Sequence, residues 1–292
     1  MKTSPVKPSA PLTLTTPAKI NWFLKITGER EDGYHNISSI MHCISLYDQL
    51  RFENSDSIAV SGNSDIAPEE NLVYKAAYCL RNHRNIQRGV HIELQKNIPV
   101  GAGMGGGSSD AACTLLGLNS LWNLNLSKKE LHEMAEEIGS DVPFFLNGPC
   151  ALVEGRGEKV YSIRDLDVSL TLLLVKPDFS VSTAWAYSYY DELPANKLTK
   201  KPIDIKLFCQ ALINQDSTIL RNLIDNDLEK VVCTQHPVIS QIKKEMLDMH
   251  ALASAMSGSG PTVFGIFRNR TEAEKAARSM LPYWTSVVET LV

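Results

Sequence analysis

Residues 99–110 read Pro-Val-Gly-Ala-Gly-Met-Gly-Gly-Gly-Ser-Ser-Asp, with five glycines within seven consecutive positions. Glycine gives up side-chain packing and backbone entropy, so this density favours a loop whose N–H groups closely approach a ligand. An apolar strand is predicted before the loop and an amphipathic helix after it, which a flexible linker would not require. Phosphate fits best, because free N–H groups and the positive end of the helix dipole meet at a helix start.

Two well-known phosphate loops fit this segment poorly. A Walker A loop ends in Gly-Lys-Ser/Thr, whereas this one ends in Gly107-Ser108-Ser109 without a lysine. The dinucleotide pattern Gly-x-Gly-x-x-Gly matches formally at Gly101, but Pro99 separates it from the strand and the next element is another helix. A nicotinamide or flavin enzyme is therefore disfavoured.

The elements around the loop follow from periodicity and capping residues. Lys19 and Asn21 alternate with apolar residues, which predicts a half-buried strand with both side chains on one face. Asn71 is predicted to cap a helix, and Ser108 or Ser109 to cap the helix after the glycines. Ser127 and Glu130 form a capping box for a helix that ends near Gly139, so that Asp141 falls in the following turn.

In the second half of the chain, the sequence pattern predicts three helices, followed by a Gly/Ser loop, a strand and a last helix. These segments are 205–214, 218–232 and 237–249, followed by 257–261, 262–267 and 271–281. Strands that alternate with helices in both halves indicate an α/β or α+β protein.

Composition excludes several functional classes. The 292 residues carry a formal net charge of -4, and no stretch is rich enough in Lys and Arg to bind nucleic acid. Six scattered cysteines favour reduced thiols in a cytoplasmic protein over disulfides or zinc. Residues 1–16 lack the apolar core of a signal peptide and are expected to be a flexible extension, and no segment is expected to span a membrane.

Three segments together resemble the motifs of one kinase family. Residues 99–110 resemble the second motif of the GHMP kinases, which include galactokinase, homoserine kinase and mevalonate kinase. Pro-Ala-Lys-Ile-Asn at 17–21 is similar to the first motif, and Met-Ser-Gly-Ser-Gly-Pro-Thr at 256–262 to the third. The resemblance implies two lobes with the active site in the cleft between them. These are an N-terminal ATP-binding domain like ribosomal protein S5 domain 2 (17–163) and a C-terminal ferredoxin-like α+β domain (164–292).

Further segments resemble one branch of this family. They are Thr27-Gly28, Asp32-Gly33-Tyr34-His35 and Gly139-Ser140-Asp141-Val142-Pro143-Phe144-Phe145. The resemblance implies that ATP, accompanied by Mg²⁺, phosphorylates the 2-hydroxyl of 4-(cytidine 5'-diphospho)-2-C-methyl-D-erythritol on the non-mevalonate route to isoprenoids. The only partner expected is this small molecule, and the chain is expected to be a monomer or weak homodimer. The protein ligands of Mg²⁺ are left open.

The resemblance also implies the residues of the site. Lys19 and Asp141 match the catalytic pair, although each alone would be an ordinary strand lysine or turn aspartate. The implied ATP contacts are Pro99, Val100, Gly101, Ala102, Gly103, Met104, Gly105, Gly106, Gly107, Ser108 and Ser109, with Asn71 and Lys96 at the adenine. The implied substrate contacts are Asn21, Tyr34, His35 and Tyr187.

Two alternatives stay open. The chain could be another GHMP kinase, which would keep the glycine loop and have different residues on the substrate side. The Asp32–His35 segment argues against this alternative. A catalytically silent nucleotide-binding module would not need both Lys19 and Asp141.

Overall fold

A computed structural model describes residues 11–62, 67, 70–192 and 203–292. Its contacts divide the chain into two compact units built from interleaved segments. Unit 1 comprises residues 1–17, 47–98 and 106–146, and unit 2 comprises 18–46, 99–105 and 147–292. The continuous domain ranges 17–163 and 164–292 stay a prediction.

Two long strands contribute to both units, namely β1 (Leu12–Glu29) and β2 (His35–Ser55), which pair with each other. The other strands of unit 1 are β3 (Ile58–Gly62) and β4 (Gly89–Gln95). β4 lies between β3, to which it is parallel, and residues 49–55 of β2, to which it is antiparallel.

Three helices complete unit 1, and two of them begin at the predicted caps. They are α1 (Leu72–His83), α2 (Gly106–Leu121) and α3 (Lys128–Ile138), followed by a 3-10 helix (Pro143–Leu146). The Asn71 side chain accepts a hydrogen bond from the N–H of Val73 at 2.9 Å, and Ser127 and Glu130 form the capping box. The apolar faces of the helices pack with β4 and residues of β2 in one core.

Unit 2 contains two groups of strands. β5 (Cys150–Gly155) pairs antiparallel with residues 37–42 of β2 and with β6 (Lys159–Ser162). A second, fully antiparallel sheet has the order β10-β7-β9-β8. Its strands are β7 (Thr171–Lys176), β8 (Ser254–Met256), β9 (Val263–Phe267) and β10 (Trp284–Glu289).

Helices pack on this second sheet around a separate core. They are α4 (Thr183–Asp191), α5 (Ile205–Ile213), α6 (Ser217–Leu223), α7 (Asp227–Gln235), α8 (Val238–Asp248) and α9 (Arg270–Ser279). The predicted thiols are confirmed, since all six cysteines are free and four are buried. Within the described ranges, no helix combines the length and apolarity needed to cross a membrane.

The structure corrects three expectations. The helix expected over 218–232 is two helices, because Asn226 leaves the helical conformation and caps α7. The sequence predicts a flexible extension over 1–16, but β1 begins at Leu12, since Leu12 and Leu14 pack against the core of unit 1. Residues 1–10 of that extension lie outside the described residues. β1 is also buried on both faces from Ala18 to Leu24 rather than half-buried.

Candidate active site

The first part of the glycine loop, residues 99–105, is fixed within unit 2. Gly101, Gly103 and Gly105 have φ values of 64°, 75° and 66°, in the left-handed region that favours glycine. A Cβ at Gly103 would lie 2.2 Å from the carbonyl oxygen of Ser257. The Ser257 hydroxyl donates to the Gly103 carbonyl at 3.0 Å, so the loop needs glycine to approach its neighbour.

The second part of the loop forms the first turn of α2, in unit 1. The helix begins at Gly106, so Ser108 and Ser109 lie inside it and the prediction that either caps it is wrong. A Cβ at Gly106 would lie 2.9 Å from Cγ2 of Ile98, which explains the glycine at the helix start. Ser109 is buried and hydrogen-bonds to the Thr16 hydroxyl, whereas Ser108 is partly exposed. The first N–H groups of a helix have no partner within the helix, so this turn can bind an anion.

A buried ion cluster lies beneath this helix start, also in unit 1. Lys96 pairs with Asp110 at 2.8 Å and with Asp48. Asp48 is fully buried and accepts hydrogen bonds from the backbone N–H groups of Asn97 at 2.6 Å and Ile98 at 2.8 Å. The Lys96 Nζ lies 3.0 Å from the position that a Cβ at Gly106 would take. The cluster therefore fixes the chain on both sides of the glycines.

The cluster contains two carboxylates for one lysine. Burial, the largest cause, and the Asp48 charge together raise the pKa of Asp110 to about 7, although Lys96 opposes both. The Asp110 Oδ1 has no hydrogen-bond partner, which adds to the cost of ionisation. Pairing with Lys96, and not only the helix dipole, accounts for an acidic residue here. An adenine contact for Lys96 stays a prediction.

Lys19 and Asn21 lie side by side on β1, as the strand periodicity predicts, and only 3% and 1% of their surfaces are exposed. The Lys19 Nζ donates to Oδ1 of Asn21 at 2.6 Å. Asn21 donates from Nδ2 to Ser39 at 2.8 Å and from its backbone N–H to the Ser257 hydroxyl at 3.2 Å. The Lys19 backbone N–H donates to the Met104 carbonyl at 2.9 Å. In unit 2, therefore, the first motif, the glycine loop and the third motif contact one another.

Asp141 lies in the turn between α3 and the 3-10 helix, at the predicted element boundary, and it is partly exposed. The N–H of Val142 donates to the Gly139 carbonyl at 3.1 Å, and the N–H of Phe145 to the Val142 carbonyl at 3.2 Å. Val142 and Phe144 are fully buried. The turn is thus anchored on both sides of a carboxylate that is partly accessible to solvent.

Two of the predicted substrate contacts meet in unit 2. The rings of His35 and Tyr187 stack with centroids 5.1 Å apart and planes 22° apart. Asp191, which the sequence did not single out, lies 2.7 Å from Nε2 of His35. Tyr34 is 53% exposed, and the Arg156 guanidinium lies over its ring at 5.6 Å. The exposed Tyr34 ring and the partly exposed Tyr187 ring could stack on a planar ligand, whereas His35 is buried against Tyr187.

Side-chain groups that could hold a metal ion occur at two places among the described residues. They are Cys79 with His83 and Glu137, and Glu29 with His35 and Asp191. Neither group includes a residue of the glycine loop.

Sequence reasoning missed Asp48, Asp191 and Asn226. Only Asn226 carried a usable signal, since Asn226-Asp227-Leu228-Glu229 combines a capping residue with acidic residues at the following helix start. Asp48 and Asp191 lie in no recognisable motif.

Comparison with known proteins identifies the family. The family model for the "GHMP kinases N terminal domain" matches residues 71–149, and that for "GHMP kinases C terminal" matches residues 208–284. A relative from Thermodesulfovibrio yellowstonii, named 4-diphosphocytidyl-2-C-methyl-D-erythritol kinase, is 47% identical over 96% of this chain and 98% of its own length. A relative of the same name from Clostridioides difficile is 42% identical over 94% and 93%.

A solved structure agrees with these sequence relatives. The crystal structure of a 4-(cytidine 5'-diphospho)-2C-methyl-D-erythritol kinase superposes with a TM-score of 0.83 at 28% identity, and covers 96% of this chain and 99% of that one. The predicted fold, with its N-terminal and C-terminal GHMP domains in chain order, is thereby confirmed. The chain belongs to the GHMP kinase family.

Proposed function

We propose that this chain transfers the terminal phosphate of ATP to the 2-hydroxyl of 4-(cytidine 5'-diphospho)-2-C-methyl-D-erythritol, and that it releases ADP and the 2-phosphate. The observation that carries the proposal is 47% identity over 96% of the chain to a relative that bears this activity in its name. The reaction would serve the non-mevalonate route to isoprenoid precursors. The cytoplasmic location, the monomer or weak homodimer and the absence of nucleic-acid and membrane partners stay predictions.

ATP is the phosphoryl donor that the glycine loop suits. The N–H groups at the start of α2 would hold the phosphates, because they lack helical partners and lie at the positive end of the helix. The proposed adenine contacts, Asn71 and Lys96, lie in unit 1 with this turn. Residues 99–105 are held in shape by β1 and the Ser257 loop, so little entropy would be lost on binding.

Mg²⁺ would accompany ATP and would neutralise charge on the phosphate oxygens. Its ligands are oxygen atoms, and a hydroxyl in the first turn of α2 fits that preference. Ser108 fits better than Ser109, because the Ser109 hydroxyl is buried against Thr16.

Asp141 is proposed as the proton acceptor and Lys19 as the cation that supports it. As the substrate oxygen bonds to the γ-phosphorus, the bond from phosphorus to the ADP oxygen breaks and the hydroxyl proton passes to the Asp141 carboxylate. A lysine favours the ionised carboxylate and offsets charge on the transferred group. Lys19 suits this role because Asn21 restrains its ammonium group.

His35 and Tyr187 are proposed to hold the cytidine end of the substrate, with Tyr34 and Asn21 completing that side. A stacked base is worth roughly 1 to 3 kcal/mol on an aromatic ring. The pair already stacks in the protein, so the substrate would extend a preformed ring surface.

The test is to incubate the purified chain with ATP, Mg²⁺ and one alcohol at a time, and to follow ADP release. The expected result is turnover with the cytidine substrate, and phosphorylation at its 2-oxygen by phosphorus NMR. Mevalonate and homoserine should give no turnover above background. Turnover with either of these alone would assign another GHMP kinase activity, and ATP binding without turnover on any of them would indicate a silent module.

A further inference from the structure

The start of α7 is tied to the Gly/Ser loop of the third motif, here called the 257–261 loop. Asn226 is 1% exposed, and its Nδ2 donates to the carbonyl oxygens of Met256 and Gly258, both at 2.8 Å. Its Oδ1 accepts from the N–H of Leu228 at 3.0 Å and so caps α7. Both N–H groups and the oxygen of this one buried amide are therefore used.

The residues beside Asn226 make further ties within unit 2. Glu229 accepts from the N–H of Met256 at 2.7 Å and pairs with Lys243 of α8. Asp227 accepts from the N–H of Ile26 on β1 at 2.9 Å. The first turn of α7 thus joins the strand that carries Lys19 to Met256, the residue immediately before the 257–261 loop.

The 257–261 loop in turn contacts the proposed catalytic side chains. A Cβ at Gly258 would lie 3.3 Å from both Nζ of Lys19 and Oδ1 of Asn21, so this backbone lies against the lysine. Ser257 hydrogen-bonds to the Gly103 carbonyl and to the N–H of Asn21. A shift of the loop would therefore disturb both Lys19 and the glycine loop.

We propose that Asn226 is a positioning residue for phosphoryl transfer, which holds the backbone at Met256 and Gly258 against Lys19 and Gly103. The proposal rests on the proposed function. Its chemical basis is that two carbonyl oxygens must face one donor group, and a side-chain amide offers two N–H bonds from a single nitrogen. A residue that only caps α7 needs just an acceptor.

The decisive variant is Asn226→Asp, which keeps the shape and the acceptor for Leu228 but replaces both donors by a carboxylate oxygen that faces two carbonyls. The matched control is Asn269→Asp. Asn269 caps α9 through the N–H of Glu272 at 3.0 Å, and its Nδ2 donates only to the side chain of that same residue at 3.0 Å. Both substitutions therefore preserve a cap, and only the first removes donors from the 257–261 loop.

At pH 8 we expect kcat/KM for ATP in Asn226→Asp to fall roughly 10- to 100-fold, because small misplacements of reacting groups have effects of this size. Asn269→Asp should keep the parental value. The ratio of variant to parent activity should recover as pH falls from 8 to 6, since a protonated carboxyl regains one donor. Urea unfolding at each pH separates this recovery from a gain in stability, because protonation of a buried carboxyl also stabilises the folded state.

Asn226→Ser is the second variant, since its hydroxyl can still cap α7 but cannot donate to both carbonyls at once. We expect the same loss of kcat/KM with a cooperative unfolding transition. Parental kinetics in both folded Asn226 variants would overturn the proposal, as would failure of both to fold, which would assign Asn226 to stability alone. Absence of turnover in the parent enzyme would instead contradict the proposed function, so the two failures are distinguishable.

Discussion

Asp141 provides the most direct test at the scale of single residues. In Asp141→Asn the turn should persist, because its hydrogen bonds are formed by backbone groups of Gly139, Val142 and Phe145. We expect kcat to fall about 100- to 10,000-fold, the usual contribution of a general base, and both KM values to change little. Steady-state kinetics with each substrate varied in turn provide the measurement.

The control for this substitution is Asp56→Asn, because Asp56 is an exposed bend residue of the same unit. It should leave the kinetics unchanged. A raised KM with an unchanged kcat in Asp141→Asn would make Asp141 a binding residue, and the base would have to be sought elsewhere.

The raised pKa of Asp110 predicts that the stability of the protein depends on pH. The folded protein holds its proton up to about pH 7, whereas the unfolded chain releases it near pH 3.8. The folded state therefore binds more protons across this window, and the free energy of unfolding falls as pH rises through it. In Asp110→Asn this contribution is absent. Between pH 4 and 7, the free energy of unfolding of the variant should therefore rise relative to that of the parent by up to about 1.4 kcal/mol per pH unit. Above pH 7 the difference between the two proteins should stay constant.

Urea unfolding at several pH values measures this difference. The charged and titratable groups that act on Asp110 are Lys96 and Asp48, and Asp110 in turn raises the pKa of the Cys113 thiol. Asp48→Asn removes a like charge, so it should move the end of the window to lower pH. Parallel stability curves for parent and Asp110→Asn would contradict the assignment.

Single residues also show where sequence reasoning reaches its limit. Asn71, Lys19 and Asn21 could be placed because capping and strand alternation act over a few positions. Asp48 could not, since its partners are 48 to 50 residues away and a buried aspartate on a strand has no local signature. Burial of Lys19 was equally hidden, because the elements that cover it come from distant parts of the chain.

At the scale of elements, the geometry of the glycine loop predicts how one added methyl group would change ATP binding. In Gly103→Ala the new Cβ would meet the Ser257 carbonyl at 2.2 Å, and the residue would also have to keep a φ of 75°. The loop must therefore move away from the third motif. We expect ATP to bind at least about tenfold more weakly, since rigid preorganisation of the loop would be lost. Isothermal titration calorimetry with a non-hydrolysable ATP analogue measures the change.

Gly148→Ala separates backbone strain from collision. Gly148 has a φ of 116° and no heavy atom within 4 Å of its Cβ position. This variant should lose some stability and bind the analogue normally. If Gly103→Ala also binds it normally, contact with Ser257 does not shape the ATP site.

Helix boundaries show how local and distant effects divide. The start of α1 was predictable because Asn71 caps it locally. The start of α2 was not, because it depends on Ile98 and Lys96 packing against Gly106, which only the fold brings together. The strand β10, the first strand of the second sheet in the order β10-β7-β9-β8, was missed as well. Its residues do not alternate between buried and exposed, since five of the six are partly buried, and pairing with β7 stabilises it.

At the scale of the whole molecule, the two units interleave along the chain, which bears on the predicted boundary at 163/164. Unit 2 needs residues 18–46 as well as the C-terminal half. Leu24, Ile26 and Ile37 from that early segment belong to its core. Each large core side chain contributes roughly 2 to 5 kcal/mol. Their joint loss is comparable to the roughly 5 to 15 kcal/mol of net stability that a domain has.

We therefore expect a fragment of residues 164–292 not to fold alone, although it contains the whole second sheet. Without the early segment, two hydrogen bonds would also be lost: the Asp227 carboxylate accepts one from the N–H of Ile26, and the Asp225 backbone carbonyl accepts one from the N–H of Leu24. Circular dichroism during urea titration should show a cooperative transition for the full chain and none for the fragment. A cooperative transition in the fragment would mean that the C-terminal half is an independent domain, and that strands β1 and β2 only add to a core that is already sufficient.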